Sequence, residues 1–273
     1  MRRTLQMSAL LLTALVPLGA QANTGASTGN WTMDVGAGLI YAPAFSGADT
    51  YQLMAVPDVR VKYRDSFFAS MQEGIGYQFA LLPDLKAGLL AKYDFGRDED
   101  NDNAFRIAGN QSNALRGLGD VDGTVELGGF MEYDYKPFTS RLEVRQGVGG
   151  HEGLLADASV NYVGRTTAFA QPLMFGFGPR LTLADSNYMN TYYGIDATQS
   201  ANSGLGAYEA DGGVLSYGVG GFMRMPVTEK IAANAFAQYE RLGSEAADSP
   251  LVEERGSANQ FVLGMGLSYR FSH

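Results

Sequence analysis

The chain contains no cysteine, which excludes a disulfide framework, a zinc–thiolate centre and a thiol nucleophile. Histidine is nearly as scarce, with only His151 and His273. His151 lies in Gly149-Gly150-His151-Glu152-Gly153, which reads as a tight turn. No Gly-x-Ser-x-Gly elbow and no second usable histidine accompany it, so nucleophilic catalysis lacks its parts and no enzyme is expected. Gly36-x-Gly38 and Gly147-x-Gly149-Gly150 open no helix and are not nucleotide loops, so no cofactor is expected. Cations are outnumbered, 20 to 29, giving a formal net charge of −9. Phosphate binding needs the opposite sign, which argues against a nucleic-acid partner. Cationic ligands or basic protein surfaces fit that sign, as does a plain solvated acidic surface.

Long apolar runs are missing too. No later segment offers 18 consecutive apolar residues, so spanning helices are excluded. The N-terminus has the plan of an export signal: Arg2 and Arg3, an apolar stretch over Ala9–Val16 with Leu18, then Ala20-Gln21-Ala22. Cleavage is expected between Ala22 and Asn23. Residues 1–22 are then the signal peptide and 23–273 one domain, with a mature charge of −11 because Arg2 and Arg3 leave with the leader.

What is present points to a membrane barrel. The apolar fraction is 45%, with 35 Gly, 15 Tyr and 15 Phe, a composition that suits short strands, tight turns and interfacial aromatics. In Phe261–Phe271 every second residue is apolar (Phe261, Leu263, Met265, Leu267, Tyr269, Phe271), while those between are mostly small or polar. Side chains alternate faces along a strand, and about 9–11 tilted residues cross a bilayer. The same alternation marks 31–41, 85–95, 124–135, 138–148 and 215–225. Further strands are expected near 52–63, 66–79, 154–164, 168–182 and 230–242, making eleven. Bacterial single-chain barrels have even numbers of strands. Asn187–Ile195 is the candidate twelfth. The expected fold is therefore an all-β, transmembrane antiparallel β-barrel of about 12 strands, with 10 as the fallback, seated in outer-membrane lipid. One conflict stands: with both termini in the periplasm, this strand order puts the long 97–120 segment on the periplasmic side, where short turns belong.

Polar segments 97–120, 196–213 and 243–258 read as surface loops, where binding usually resides. Asp98, Glu99, Asp100 and Asp102 acidify the first; Asp248, Glu253 and Glu254 acidify the last. Asp98–Asn103 offers hard-cation ligands but lacks the Gly at position six and the Glu at twelve of an EF-hand, so no metal site is assigned. On the expected lumen faces, charges of both signs recur: Asp34, Lys86, Lys92, Asp94, Glu126, Glu132, Asp134, Arg141, Glu143, Arg145, Arg224, Glu240 and Arg270. Mixed signs favour pairing across a plugged or very narrow lumen over a selective channel, which uses a ring of one charge.

Several short motifs resemble those of the MipA/OmpV family of outer-membrane proteins. Pro43-Ala44-Phe45-Ser46-Gly47-Ala48 is similar to that family's Pro-x-Tyr-x-Gly-Ser loop. The segment Ala184-Asp185-Ser186-Asn187-Tyr188 through Tyr192-Tyr193-Gly194-Ile195 resembles its Ala-Asp-Ser-x-Tyr motif, bringing Asp185 and Tyr188 forward. Asp248-Ser249-Pro250-Leu251-Val252 and Arg255–Gln260 resemble its last loop, bringing Pro250 forward, and Tyr269-Arg270-Phe271 its end, with Ser272 and His273 as an overhang. The resemblance implies a barrel without catalysis, in a family that includes scaffolds joining a peptidoglycan synthase to a lytic transglycosylase and also surface adhesins. Three functions are weighed: an interaction or scaffold protein in murein remodelling, a surface receptor binding cationic compounds through the acidic loops, and a small diffusion pore.

Overall fold

The computed structural model describes residues 30–272 except 101 and 102. The expected leader, its expected cleavage point between Ala22 and Asn23, and Asp102 lie outside the described residues. Strands β1 (Trp31–Pro43), β2 (Tyr51–Tyr63), β3 (Phe67–Ser70), β4 (Gly74–Leu82) and β5 (Leu85–Asp94) are followed by a short β6 (Arg106–Ala108). Then come β7 (Thr124–Tyr135), β8 (Phe138–Gly149), β9 (Leu154–Ala168) and β10 (Gln171–Ala184). Helices α1 (Ser186–Tyr193) and α2 (Ala197–Ser203) precede β11 (Gly213–Pro226) and β12 (Ile231–Leu242). Helices α3 (Ser244–Ala247) and α4 (Pro250–Arg255) lead into β13 (Asn259–Ser272). Apart from β6, each strand pairs antiparallel with its sequence neighbour, and β1 pairs with both β2 and β13, so a twelve-stranded barrel closes.

The expected number holds, but the twelfth strand has a different origin. Asn187–Ile195 is not a strand: residues 186–193 form α1. Asp185 caps it by accepting from the Tyr188 N–H at 3.0 Å, and Tyr188, Met189, Tyr192 and Tyr193 fall on one helical face. The extra strand comes from the expected 66–79 segment, which breaks at Met71-Gln72-Glu73. Gly74 adopts φ +76° after the turn, and Ser70 Oγ accepts from the Glu73 N–H. That extra reversal removes the loop conflict. The start of β1, the end of β13 and the turns at 64–66, 83–84, 136–137, 169–170 and 227–230 now share one end of the barrel, and every long loop lies at the other. In outer-membrane barrels the short turns face the periplasm, so the long loops face outward.

Because β3 is short, β2 pairs with it only over residues 60–63. β6 returns from the long loop to pair with β2 at Leu53 and Met54, while Phe105 packs on the Ile40–Met54 cluster. The wall is thus patched by its own loop.

Lipid-facing positions carry the apolar side chains, with aromatics gathered at both rims. Trp31 lies 4.6 Å from Tyr63, Tyr135 stacks between Tyr133 and Phe138, and Tyr269 meets Phe271 near the chain ends. Tyr41 on Tyr51 and Tyr93 on Phe95 mark the opposite rim. Inside, four phenyl rings lie over the glycine directly across the strand pair: Phe68 on Gly76, Phe130 on Gly88, Phe222 on Gly176 and Phe236 on Gly264. A Cβ at Gly264 would stand 2.1 Å from Phe236 Cε1. Glycine therefore serves as the seat of a lumen aromatic.

Candidate functional site at the two ends of the barrel

The outer mouth is closed by protein. On α1, Tyr188, Met189, Tyr192 and Tyr193 pack against Leu155, Leu215 and Leu242, whose side chains point inward from β9, β11 and β12, and against Ala246 and Val252. A second apolar layer is built almost wholly from loops: Ala44, Phe45 and Ala48, then Leu115 and Leu118, then Ile195, Leu205 and Leu251. Hydrogen bonds tie the layers. Arg97 donates to the Tyr192 carbonyl at 2.6 Å, Ser249 Oγ donates to the Tyr193 carbonyl at 2.6 Å, and the Ser46 and Tyr193 hydroxyls meet at 2.7 Å. Arg255 donates to the Ala114 carbonyl at 3.0 Å and also to the Ser203 carbonyl, joining α4 to two other loops. Burial pushes the Tyr193 hydroxyl up to about 12 and raises Tyr188 and Tyr192 as well, so all three act as neutral packing groups.

Below this cap the lumen is crossed by paired charges. Arg145 contacts Glu126 at 2.8 Å, Asp157 at 2.5 Å and Glu143 at 3.2 Å. Glu143 also takes Lys92 at 2.5 Å and Arg141 at 2.8 Å, and Arg141 lies 3.9 Å from the centre of the Phe130 ring. Lys86 reaches Glu132 and Asp134, and Arg180 reaches Glu240. Most of the lumen charges expected from the alternation thus pair with one another, as mixed signs require in a low-dielectric interior; Asp94 has no Lys or Arg partner among the described residues.

The loop residues singled out in the sequence divide into two kinds. Asp185 is the cap of α1, Tyr188 is buried beneath it, and Pro250 is the first residue of α4, so these three are structural. Asp98 and Glu99 are half-buried; Asp98 accepts from the Asp100 N–H and Glu99 from the Gly117 N–H, so both shape their own loop. Asp100, Asp248, Glu253 and Glu254 are exposed on the outer face. Residues not anticipated as a group are His151, Arg97, Tyr192 and Tyr193. His151 is 0% exposed, stacked edge-on to Tyr188 at 4.9 Å, so it is an interior residue rather than a free turn residue. The sequence signal for it is weak: a lone histidine among glycines that permit close approach.

The inner end differs in charge. Asp34 pairs with Arg270 at 2.7 Å and Arg224 at 3.2 Å, and these arginines with Arg165, Lys230 and the single acidic Glu229 line a shallow recess of about 60 Å³ at the barrel mouth. Beside it, the β9–β10 turn places Phe169 and Ala170 at φ +53° and +60°. Two successive left-handed residues are the geometry that usually selects Asn-Gly. Phe169 is 92% exposed there.

Residues 35–271 match the family described as MltA-interacting protein MipA. The chain belongs to the MipA family. Among its relatives, outer membrane protein Omp26La of Vibrio anguillarum and outer membrane protein OmpV of Vibrio cholerae are each 34% identical to it over 91 residues. Each alignment spans 33% of this chain and 34% of the relative, so the chain covers about a third of the length of those it matches. Among solved structures, a bacterial polysaccharide outer membrane secretin overlays with a TM-score of 0.41 at 10% identity, over 88% of this chain and 98% of that one. A likeness that distant carries nothing about function. Membership of the MipA family and the barrel together establish an outer-membrane protein.

Proposed function

We propose that this MipA-family barrel is a non-conducting, non-enzymatic interaction protein that engages a lytic transglycosylase from its periplasmic end, and through it a peptidoglycan synthase, in murein remodelling. The observation that carries the reading is the pairing of a capped, ion-paired lumen with an open cationic recess at the opposite end. A lumen filled in this way has no transport path to offer. What the periplasm meets is the rim of short turns, with Arg165, Lys230 and the projecting Phe169. Exposed aromatics beside arginine are the composition of interface anchors. The family's description names MltA as a partner of its namesake, which supports the class of partner.

The test is site-specific photo-crosslinking in cells from positions 169 and 228, with positions 211 and 253 on the outer loops as controls. Capture of a lytic transglycosylase from the inner positions alone supports the reading. Capture of neither murein enzyme from 169 or 228 sinks it. Adducts only from 211 or 253 would instead favour a surface receptor acting through Asp100, Asp248, Glu253 and Glu254.

A further inference from the structure

His151 sits where two carboxylates converge. Its Nε2 is 3.2 Å from Glu126 Oε1 and 3.8 Å from Asp94 Oδ2, and the three ligand atoms all lie within 4.8 Å of one another. All three residues are buried. Nε2 and Glu126 Oε1 face each other at 3.2 Å and interact electrostatically, but they fall short of hydrogen-bond alignment, and neither atom has another hydrogen-bond partner among the described residues. Unpaired polar atoms in a fully buried position are uncommon, and two aimed at the same point call for a third body between them.

The surroundings are those of a ligand set held from behind. Asp94 Oδ1 accepts from the Gly96 N–H at 2.8 Å, which turns Oδ2 toward His151. Glu126 Oε2 accepts from Arg145 at 2.8 Å, which turns Oε1 the same way. Tyr192 donates its hydroxyl to Asp94 Oδ2 at 3.1 Å and closes the top. Such outer contacts fix the orientation of metal-binding carboxylates. Asp94 has no Lys or Arg within ion-pair distance among the described residues, and its carboxylate is held by hydrogen bonds from the Gly96 N–H and the Tyr192 hydroxyl. Ligands about 2.0–2.2 Å from a tetrahedral metal stand about 3.3–3.6 Å apart. The two separations from Nε2 bracket that span, and all three ligand atoms lie within 4.8 Å of one another.

We infer that Asp94, Glu126 and His151 form a divalent transition-metal site of the zinc class, which staples β5, β7 and the β8–β9 loop beneath α1. One imidazole and two carboxylates suit zinc over calcium or magnesium, which take oxygen-only shells. The metal takes the Nε2 lone pair. The Gly153 N–H now points at Nδ1 from 3.4 Å, so in the metal-free ring the proton is on Nε2. On binding, that proton moves to Nδ1, and the long contact from the Gly153 N–H to Nδ1 is given up. In a chain without cysteine the site supplies the cross-link that a disulfide would otherwise give.

The experiment uses the full chain extracted from outer membranes, with its folded state read by heat-modifiable mobility on a gel. After exhaustive chelation it is titrated with Zn²⁺, and separately with Co²⁺. The expected result is one zinc per chain by elemental analysis, a raised melting temperature, and a visible d–d absorption on cobalt loading. His151→Gln and Glu126→Gln should each weaken zinc binding by more than about tenfold, the scale seen even for outer-shell losses. A folded wild-type barrel that binds no stoichiometric zinc overturns the inference, whatever the variants do. Zinc binding that survives unchanged in a folded His151→Gln barrel also overturns it, by assigning the ion to the acidic loops.

Discussion

Arg97 Nη1 donates to the main-chain oxygen of Tyr192 at 2.6 Å, a bond between the start of the 95–123 loop and the last turn of the helix that closes the barrel. Its guanidinium also lies 6.0 Å from the centre of the Tyr192 ring. A helix of eight residues is too short to hold itself in water. It persists here because its apolar face is buried in the mouth and its C-terminal carbonyls are taken by Arg97 and Ser249.

Arg97→Ala is therefore expected to loosen the cap. Loss of a hydrogen bond from a charged donor to a buried carbonyl costs about 1.5–3 kcal/mol. The readout is limited proteolysis on intact cells, with faster cleavage within 185–212 while the barrel itself stays heat-modifiable.

Arg145→Met should be the most damaging lumen substitution. It strands Glu126, Asp157 and part of Glu143 without their shared cation, at a cost of about 3–5 kcal/mol. Urea unfolding in detergent checks this. Adding Glu126→Gln should recover part of the loss.

Gly264→Ala is expected to destabilise the barrel by about 1–3 kcal/mol, because the new methyl group meets the Phe236 ring. Phe236→Ala in the same chain should make the pair less than additive. Equal, independent effects would mean that the ring does not rest on the glycine.

High pH should undock the cap. Tyr193 has an ordinary value of 10.0 when free and about 12 when docked, so between these the undocked state releases a proton that the docked state keeps. Rising pH then favours undocking, with the contribution intact below about pH 10 and lost by about pH 12. Tyrosinate absorbance and protease sensitivity of 185–212 should rise together through this window, and Tyr193→Phe should weaken the transition.

Much of the barrel is legible in the sequence because lipid on one face and a polar lumen on the other impose a strict period of two. Asp34, Glu126, Arg145 and Arg270 all fall where that alternation puts them. Two places are not legible. Asn187–Ile195 carries tyrosines at 188, 192 and 193 that fit neither a clean strand nor a long helix, and only the cap at Asp185 and the cavity above Leu215 decide for α1. Residues 66–79 look continuous because the break at 71–73 has no proline or Asn-Gly signal; it depends on Gly74 at positive φ. The site residues are harder still. Asp94, Glu126 and His151 come from three separate elements and meet only through the strand register.

The closed lumen is tested most directly by single-channel recording of the full-length barrel in a planar bilayer. The capped, ion-paired interior predicts no stepwise conductance at neutral pH, with openings appearing only when the 185–212 segment is clipped or deleted. Steady ohmic channels from the intact, folded protein would contradict it and make the barrel a pore.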